Sequence, residues 1–156
     1  MSDAAEAHLA YGYNLGSPGN GGWKLAGADE YGDYEFPWSD GGYQIAEHAA
    51  EMLVNATGFV DIEGESRSAR CSRRREIELA LPVRVERSGH HDVPGYVLLV
   101  DGTHKSVEWT DAMTLDPAEL GASRPEWDAQ LAAALKALGI TPTQDGPKWL
   151  VFPSYG

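Results

Sequence analysis

A chain of 156 residues, 42% hydrophobic and with five Trp, is long enough to bury one core and too apolar to stay disordered. Its formal net charge of -12 argues against nucleic acid and anionic membranes as partners and favours a basic protein surface. The single cysteine, Cys71, excludes an intrachain disulfide; with no apolar run of membrane-spanning length and an acidic, polar start unlike a secretory signal, a cytoplasmic protein that stays off membranes is expected.

The whole chain, 1–156, reads as one domain, with residues 1–7 expected to be disordered. Residues 8–13 alternate weakly and suit a strand. Residues 16–22 are a Gly- and Pro-dominated loop, after which Trp23-Lys24-Leu25 can pair briefly. Residues 29–38 are acidic and aromatic, and Tyr34, Phe36 and Trp38 share one side if the piece is extended. A helix is predicted over 41–57, capped by Ser39 or Asp40, with Ile45, Ala49, Met52, Leu53 and Ala56 as its buried stripe and Gly58 as its stop. Residues 63–75 lack a pattern and are expected to form an exposed loop.

Ile77, Leu79, Leu81, Val83 and Val85 alternate with polar or small residues, which predicts a strand; Pro82 puts that strand at an edge or a bulge. Residues 96–100 are apolar on both faces, as in a central strand, and Asp101-Gly102 signals a hairpin. Val107 and Trp109 should then point inward, with His104, Ser106 and Glu108 outward. Ser123-Arg124-Pro125-Glu126 reads as a capping box opening a second helix with Trp127, Leu131, Ala134, Leu135 and Leu138 buried and Gly139 as its end. A last strand follows at 148–153. This order predicts an α+β fold: a mixed or antiparallel sheet with two helices packed on one face, ferredoxin-like or related.

Ala10-Tyr11-Gly12-Tyr13, Gly21-Gly22-Trp23, Pro37-Trp38, the run 127–138, Leu138-Gly139-Ile140-Thr141-Pro142-Thr143, Trp149-Leu150 and Tyr155-Gly156 resemble segments of small proteins of actinomycetes and their bacteriophages. That group has no assigned activity. The resemblance covers both ends of the chain, fades over 58–94, and implies a phage or prophage setting rather than a chemistry.

Five features carry chemistry. The glycine loop 16–22 lacks the Lys then Ser or Thr that a phosphate-cradling loop requires, because Gly21 is followed by Gly22-Trp23-Lys24. His90-His91-Asp92, with His104 on the next hairpin, offers metal-ligating groups, but adjacent residues in a strand diverge, so no metal is assigned. Cys71 lies beside Arg70 and near Arg73 without an evident His partner, and no G-x-S-x-G elbow occurs, so no catalytic residue is assigned. Arg70, Arg73, Arg74 and Arg75 could contact an anion, or pair within the chain with Glu63, Glu65, Glu76 or Glu78.

The fifth feature is the acidic, aromatic segment. Tyr and Trp anchor interfaces at low rotamer cost, and carboxylates steer a basic partner. Asp29, Glu30, Tyr31, Asp33, Tyr34, Glu35, Trp38 and Asp40 are therefore the candidate partner-binding residues. The leading expectation is a non-enzymatic, cofactor-free module that docks on a basic host or phage protein. One alternative is a small-molecule or nucleotide-binding enzyme with the glycine loop and the His90-His91 turn in one cleft. The other is a structural component of an assembly.

Overall fold

The computed structural model describes residues 5–19, 21–40, 44–121 and 123–155. Eight elements follow one another: strand β1 (Ala5–Gly16), helices α1 (Ile45–Ala56) and α2 (Arg67–Leu79), strands β2 (Val83–His90), β3 (Val93–Val100) and β4 (Lys105–Glu108), helix α3 (Arg124–Leu138) and strand β5 (Lys148–Tyr155). Short 3-10 turns occupy Asp101–Thr103 and Pro117–Leu120. The α+β class with a mixed sheet is the observed one. Among the described residues no helix is long and apolar enough to cross a membrane.

β1 organises the sheet. One of its edges runs antiparallel along β5, from Ala5 opposite Tyr155 to Gly12 opposite Lys148. The other edge meets β4 over residues 6–9 and β3 over residues 12–16. β3, the Asp101–Thr103 turn and β4 therefore act as one interrupted strand along β1. At the interruption the Thr103 hydroxyl accepts the Tyr11 N–H at 2.9 Å and donates to the Val100 carbonyl at 2.7 Å, so the missing ladder bond is replaced. Gly12 sits where β1 switches partners, and a Cβ there would run into the Leu98 carbonyl.

β2 and β3 form a hairpin closed by a two-residue turn, His91-Asp92. The antiparallel pairings run β5–β1–β3–β2, with α1 leading from β1 to β2 and α3 from β3 and β4 to β5. Three features lie outside a plain ferredoxin-like sandwich: helix α2, the broken third strand, and a parallel contact of Gly89 and His90 with Ser154 and Tyr155 that joins β2 back to β5.

Alternation divides the sheet into two faces. Tyr11, Leu15, Val83, Val85, Tyr96, Leu98 and Val100 face α1 and α3, whose Ile45, Ala49, Leu53, Leu131, Ala134 and Leu138 complete the main core. Ala10, Val97, Leu99 and Phe152 form a second, smaller cluster on the opposite face. Among the described residues no helix packs there; the sheet curls round this cluster, and the ends of β2 and β5 meet.

Several expectations change. Residues 5–7 belong to β1 and are not disordered; residues 1–4 lie outside the described part. The loop expected at 63–75 is instead mostly helix α2, which runs on through Ile77 and Leu79, so β2 begins only at Val83. α1 begins at Ile45 with Gln44 at its cap and no side-chain bond, and Ser39 instead meets His48 Nδ1 at 2.9 Å; residues 41–43 lie outside the described part. Ser123 occupies the cap of α3 but makes no capping bond. Gly139 does end α3 in the left-handed conformation, at φ 66°. Trp109 lies on the face that carries Tyr11, as expected, but is 71% exposed there rather than buried.

Candidate functional site

The segment 29–40 is built as a loop against the glycine hairpin. Asp29 Oδ1 accepts the N–H groups of Tyr31 and Asp33, both at 2.9 Å, while the Trp23 N–H donates to the Gly32 carbonyl at 2.8 Å. Gly22 and Gly32 approach so closely that a Cβ on either would lie 2.6 Å from the other's Cα, so two glycines fix the loop's position.

Tyr34, Phe36 and Trp38 do share one side, and that side is the core. Phe36 makes ring contacts at 4.8 Å with Tyr34, Trp23 and Trp38, and Trp38 Nε1 donates to the Leu138 carbonyl at 2.7 Å. Tyr34 and Trp38 are therefore anchors of the loop rather than free contact rings. Tyr31 is the exception at 80% exposed. Asp29, Glu30, Asp33, Glu35 and Asp40 are all exposed. Among the described residues none of Asp29, Glu30, Asp33 and Glu35 has a Lys or Arg ion-pair partner. Asp29, Asp33, Tyr34 and Glu35 line a shallow cavity of about 700 Å³ with Pro18, Trp23 and Gly27.

Two of the four arginines of the basic patch are paired inside the chain. On α2, Arg70 pairs with Asp61 and Arg73 forks onto both oxygens of Glu65 at 2.9 and 3.0 Å. The guanidinium of Arg73 also lies 4.2 Å from the centre of the Phe59 ring, with Arg70 and Arg74 further out on it. The arginine hydrogen bonds hold the carboxyls of Asp61 and Glu65 below their usual range. Glu65 was among the expected partners and Asp61 was not. Cys71 and Arg75 are exposed on the same helix.

His90, His91 and Asp92 do come together: one ligand atom from each lies within 4.8 Å of the others, at an exposed hairpin tip. The Asp92 N–H donates to His90 Nδ1 at 3.1 Å. His104 is not with them. The glycine loop neighbours this hairpin through Val93, but a cavity of about 500 Å³ beside His91 is lined by none of the described residues 16–19, 21 and 22.

His104 belongs to a polar relay inside the curl of the sheet, which sequence reading missed. Ser154 Oγ lies 2.7 Å from His8 Nε2, His8 Nδ1 lies 2.9 Å from His104 Nε2, and His104 Nδ1 lies 2.7 Å from an Arg84 terminal nitrogen. Arg84 also binds Glu86 and Asp101. Phe152 stacks on His8 at 5.0 Å. The missed signal was parity: His8 alternates in register with Ala10 and so shares its buried face.

Ser next to His next to His invites comparison with a nucleophile and its base. The proton count decides otherwise. Guanidinium only donates, so His104 Nδ1 must accept. The His104 proton then sits on Nε2 and points at His8 Nδ1, which accepts in turn. The His8 proton sits on Nε2, facing Ser154 Oγ and, at 3.6 Å, Glu6 Oε2. His8 thus donates to Ser154 and has no lone pair free to take its proton. Burial, and then the Arg84 charge, holds the His104 pKa below its ordinary 6.5, which keeps that ring neutral and the polarity fixed.

Compared with family models, curated proteins and solved structures, the chain finds no match.

Proposed function

We propose that this chain is a non-enzymatic docking module that binds a basic surface on a host or phage protein through the loop 29–35. The observation that carries the reading is the set of four exposed carboxylates, Asp29, Glu30, Asp33 and Glu35, without a cationic partner among the described residues, arranged around the exposed ring of Tyr31. The supporting physics is preorganisation. Gly22 against Gly32, the Asp29 turn and the buried Phe36 hold the charges in place before a partner arrives, so little ordering cost falls on binding. The contact set is narrower than the acidic, aromatic stretch suggested, since Tyr34 and Trp38 serve the core.

The test is retention of a partner from a host lysate on immobilised protein. The wild type should hold a discrete partner at low salt and release it at about 0.5 M salt. The triple variant Glu30→Lys, Asp33→Lys, Glu35→Lys should bind that partner at least about tenfold more weakly, because three exposed charges reverse sign while the Asp29 turn is left intact. Equal retention by the triple variant, or no partner at low salt, refutes the reading.

A further inference from the structure

Among the described residues, the face of the sheet that carries Tyr11 continues past the start of α3 with only the 3-10 turn Pro117–Leu120 at its margin, where Glu119 meets Lys105 and the Leu120 carbonyl accepts from Trp149 Nε1. Cross-strand partners share a face, so three rows of side chains follow from the register. Val151, Leu9 and Lys105 form the first row, and Pro153, Ala7 and Val107 the second. Tyr155, Ala5 and Trp109 form the third, where the Trp109 N–H to the Ala5 carbonyl at 3.0 Å carries the register one residue further. Eight of these nine positions are apolar. Val151 is 78% exposed and Trp109 71%. Together with Tyr155 they offer on the order of a few hundred Å² of apolar surface, comparable to the largest patch on an ordinary monomer and often a functional one.

The patch has a shape. Its central column is β1, with Ala5 and Ala7 as a floor. Val151, Pro153 and Tyr155 on β5 make one wall, and Val107 and Trp109 the other. The walls stand on strands two spacings apart, about 9.6 Å, so an α-helix of 10–12 Å girth would rest across them and put one row of side chains onto the alanine floor. Leu9 is buried and closes one end, so the open floor from Ala5 to Ala7 is about 7 Å long, or roughly one turn of helix.

The geometry points to this trough as the docking site of an amphipathic helix with basic flanks, presented by another protein. Two further observations favour that occupant. The trough continues a helical layer already in place: α3 covers the next residue along the same face, with Trp127 at 5.4 Å from Tyr11. A helix laid on Ala5 and Ala7 would extend that layer. The rim is also negative on balance. Asp111 follows Trp109, and Asp92 sits on the hairpin that pairs with Tyr155; both are exposed. Lys105, at one corner, is held by Glu119 at 3.7 Å, and Arg87 shares a cavity with Glu47 and Glu86 beside Tyr155. Lysines or arginines bordering an apolar stripe complement that rim. This surface is separate from the loop 29–35, and the proposal stands without the reading given for that loop.

The probe is a synthetic peptide of about 14 Leu and Lys residues in amphipathic helical order. Its controls are the same residues scrambled and a Leu and Glu analogue. The helical Leu and Lys peptide should bind and shift the indole N–H resonance of Trp109. Val151→Asp and Val107→Asp should each weaken it at least about tenfold, with circular dichroism unchanged for the exposed Val151 site. The triple charge reversal on residues 30, 33 and 35 should leave it bound, which separates failure here from failure of the loop reading. Equal binding of the scrambled peptide, no effect of Val151→Asp, or no binding at all overturns the proposal. So does a dimer in light scattering that Val151→Asp disperses, because a second copy would then be the occupant.

Discussion

At the inner face of the curled sheet one guanidinium sets the direction of the hydrogen bonds through two histidines. His104 accepts from Arg84 and donates to His8, and His8 donates to Ser154, so His104 keeps its bond from Arg84 only while neutral. The charged groups facing them are Glu6 from β1, Arg84 and Glu86 from β2, and Asp101 at the start of the 3-10 turn. The His104 pKa is held below 6.5 in the fold, mainly by burial and then by Arg84. The unfolded chain therefore takes up this proton first as pH falls. The stabilisation is fully present above pH 6.5 and is lost as pH drops through the folded value. Urea midpoints of the wild type should decline between about pH 7 and pH 5, before most carboxylates titrate. In His104→Gln the decline should flatten, and stability at neutral pH should drop by about 1–3 kcal/mol because His8 and Arg84 lose a buried partner. Parallel pH curves for the two proteins would rule out this account of the relay.

Helix α2 shows what a sequence discloses about an element and what it hides. α3 was legible because Leu131, Ala134 and Leu138 trace a buried stripe and Gly139 closes it. Strands β2 and β3 were legible from the alternation over 83–85 and the apolar run over 96–100, but the hairpin expected at Asp101-Gly102 is a 3-10 turn, with β3 and β4 both paired to β1. α2 has no buried residue, so it shows no apolar stripe to read. Its support is a Ser66 cap that accepts the Ala69 N–H at 3.1 Å, together with the Arg70–Asp61 and Arg73–Glu65 pairs over Phe59. Ile77 and Leu79 imitated the start of a strand by chance alternation, and in the fold Leu79 is 70% exposed on the last turn. The candidate site was half legible for a related reason. Charge can be read from composition, but which ring of Tyr31, Tyr34 and Trp38 stays outside depends on Phe36 finding Trp23, a tertiary fact. Ser66→Ala should cost about 1 kcal/mol, felt locally. Amides over 70–79 should exchange several-fold faster while the global unfolding midpoint barely moves. A fall of the global midpoint by the full amount would mean that α2 folds and unfolds with the core.

Charge is a property of the whole molecule here. With 24 acidic and 12 basic residues, the cations that could offset the field are partly committed locally, Arg70 and Arg73 on α2 and Arg84 in the relay, each facing its own carboxylate. The surplus is left unscreened on the loop 29–35 and along the rims. A domain of this length has a radius of gyration near 15 Å. At about 0.01 M salt the screening length is about 30 Å, so every surplus carboxylate repels every other across the molecule; at about 0.15 M it is about 8 Å, and only neighbours interact. Unfolding moves like charges apart, so low salt penalises the folded state more. The exposed pairs on α2 act in the opposite sense, but exposed pairs contribute little. The thermal midpoint should therefore rise as salt increases from about 0.01 to 0.15 M, and the triple reversal on residues 30, 33 and 35, which changes the net charge from -12 by six units, should reduce that rise. A midpoint that falls with salt would mean that the internal pairs outweigh the surplus. The same field makes both proposed contacts faster for basic partners, so salt that stabilises the fold should slow their association.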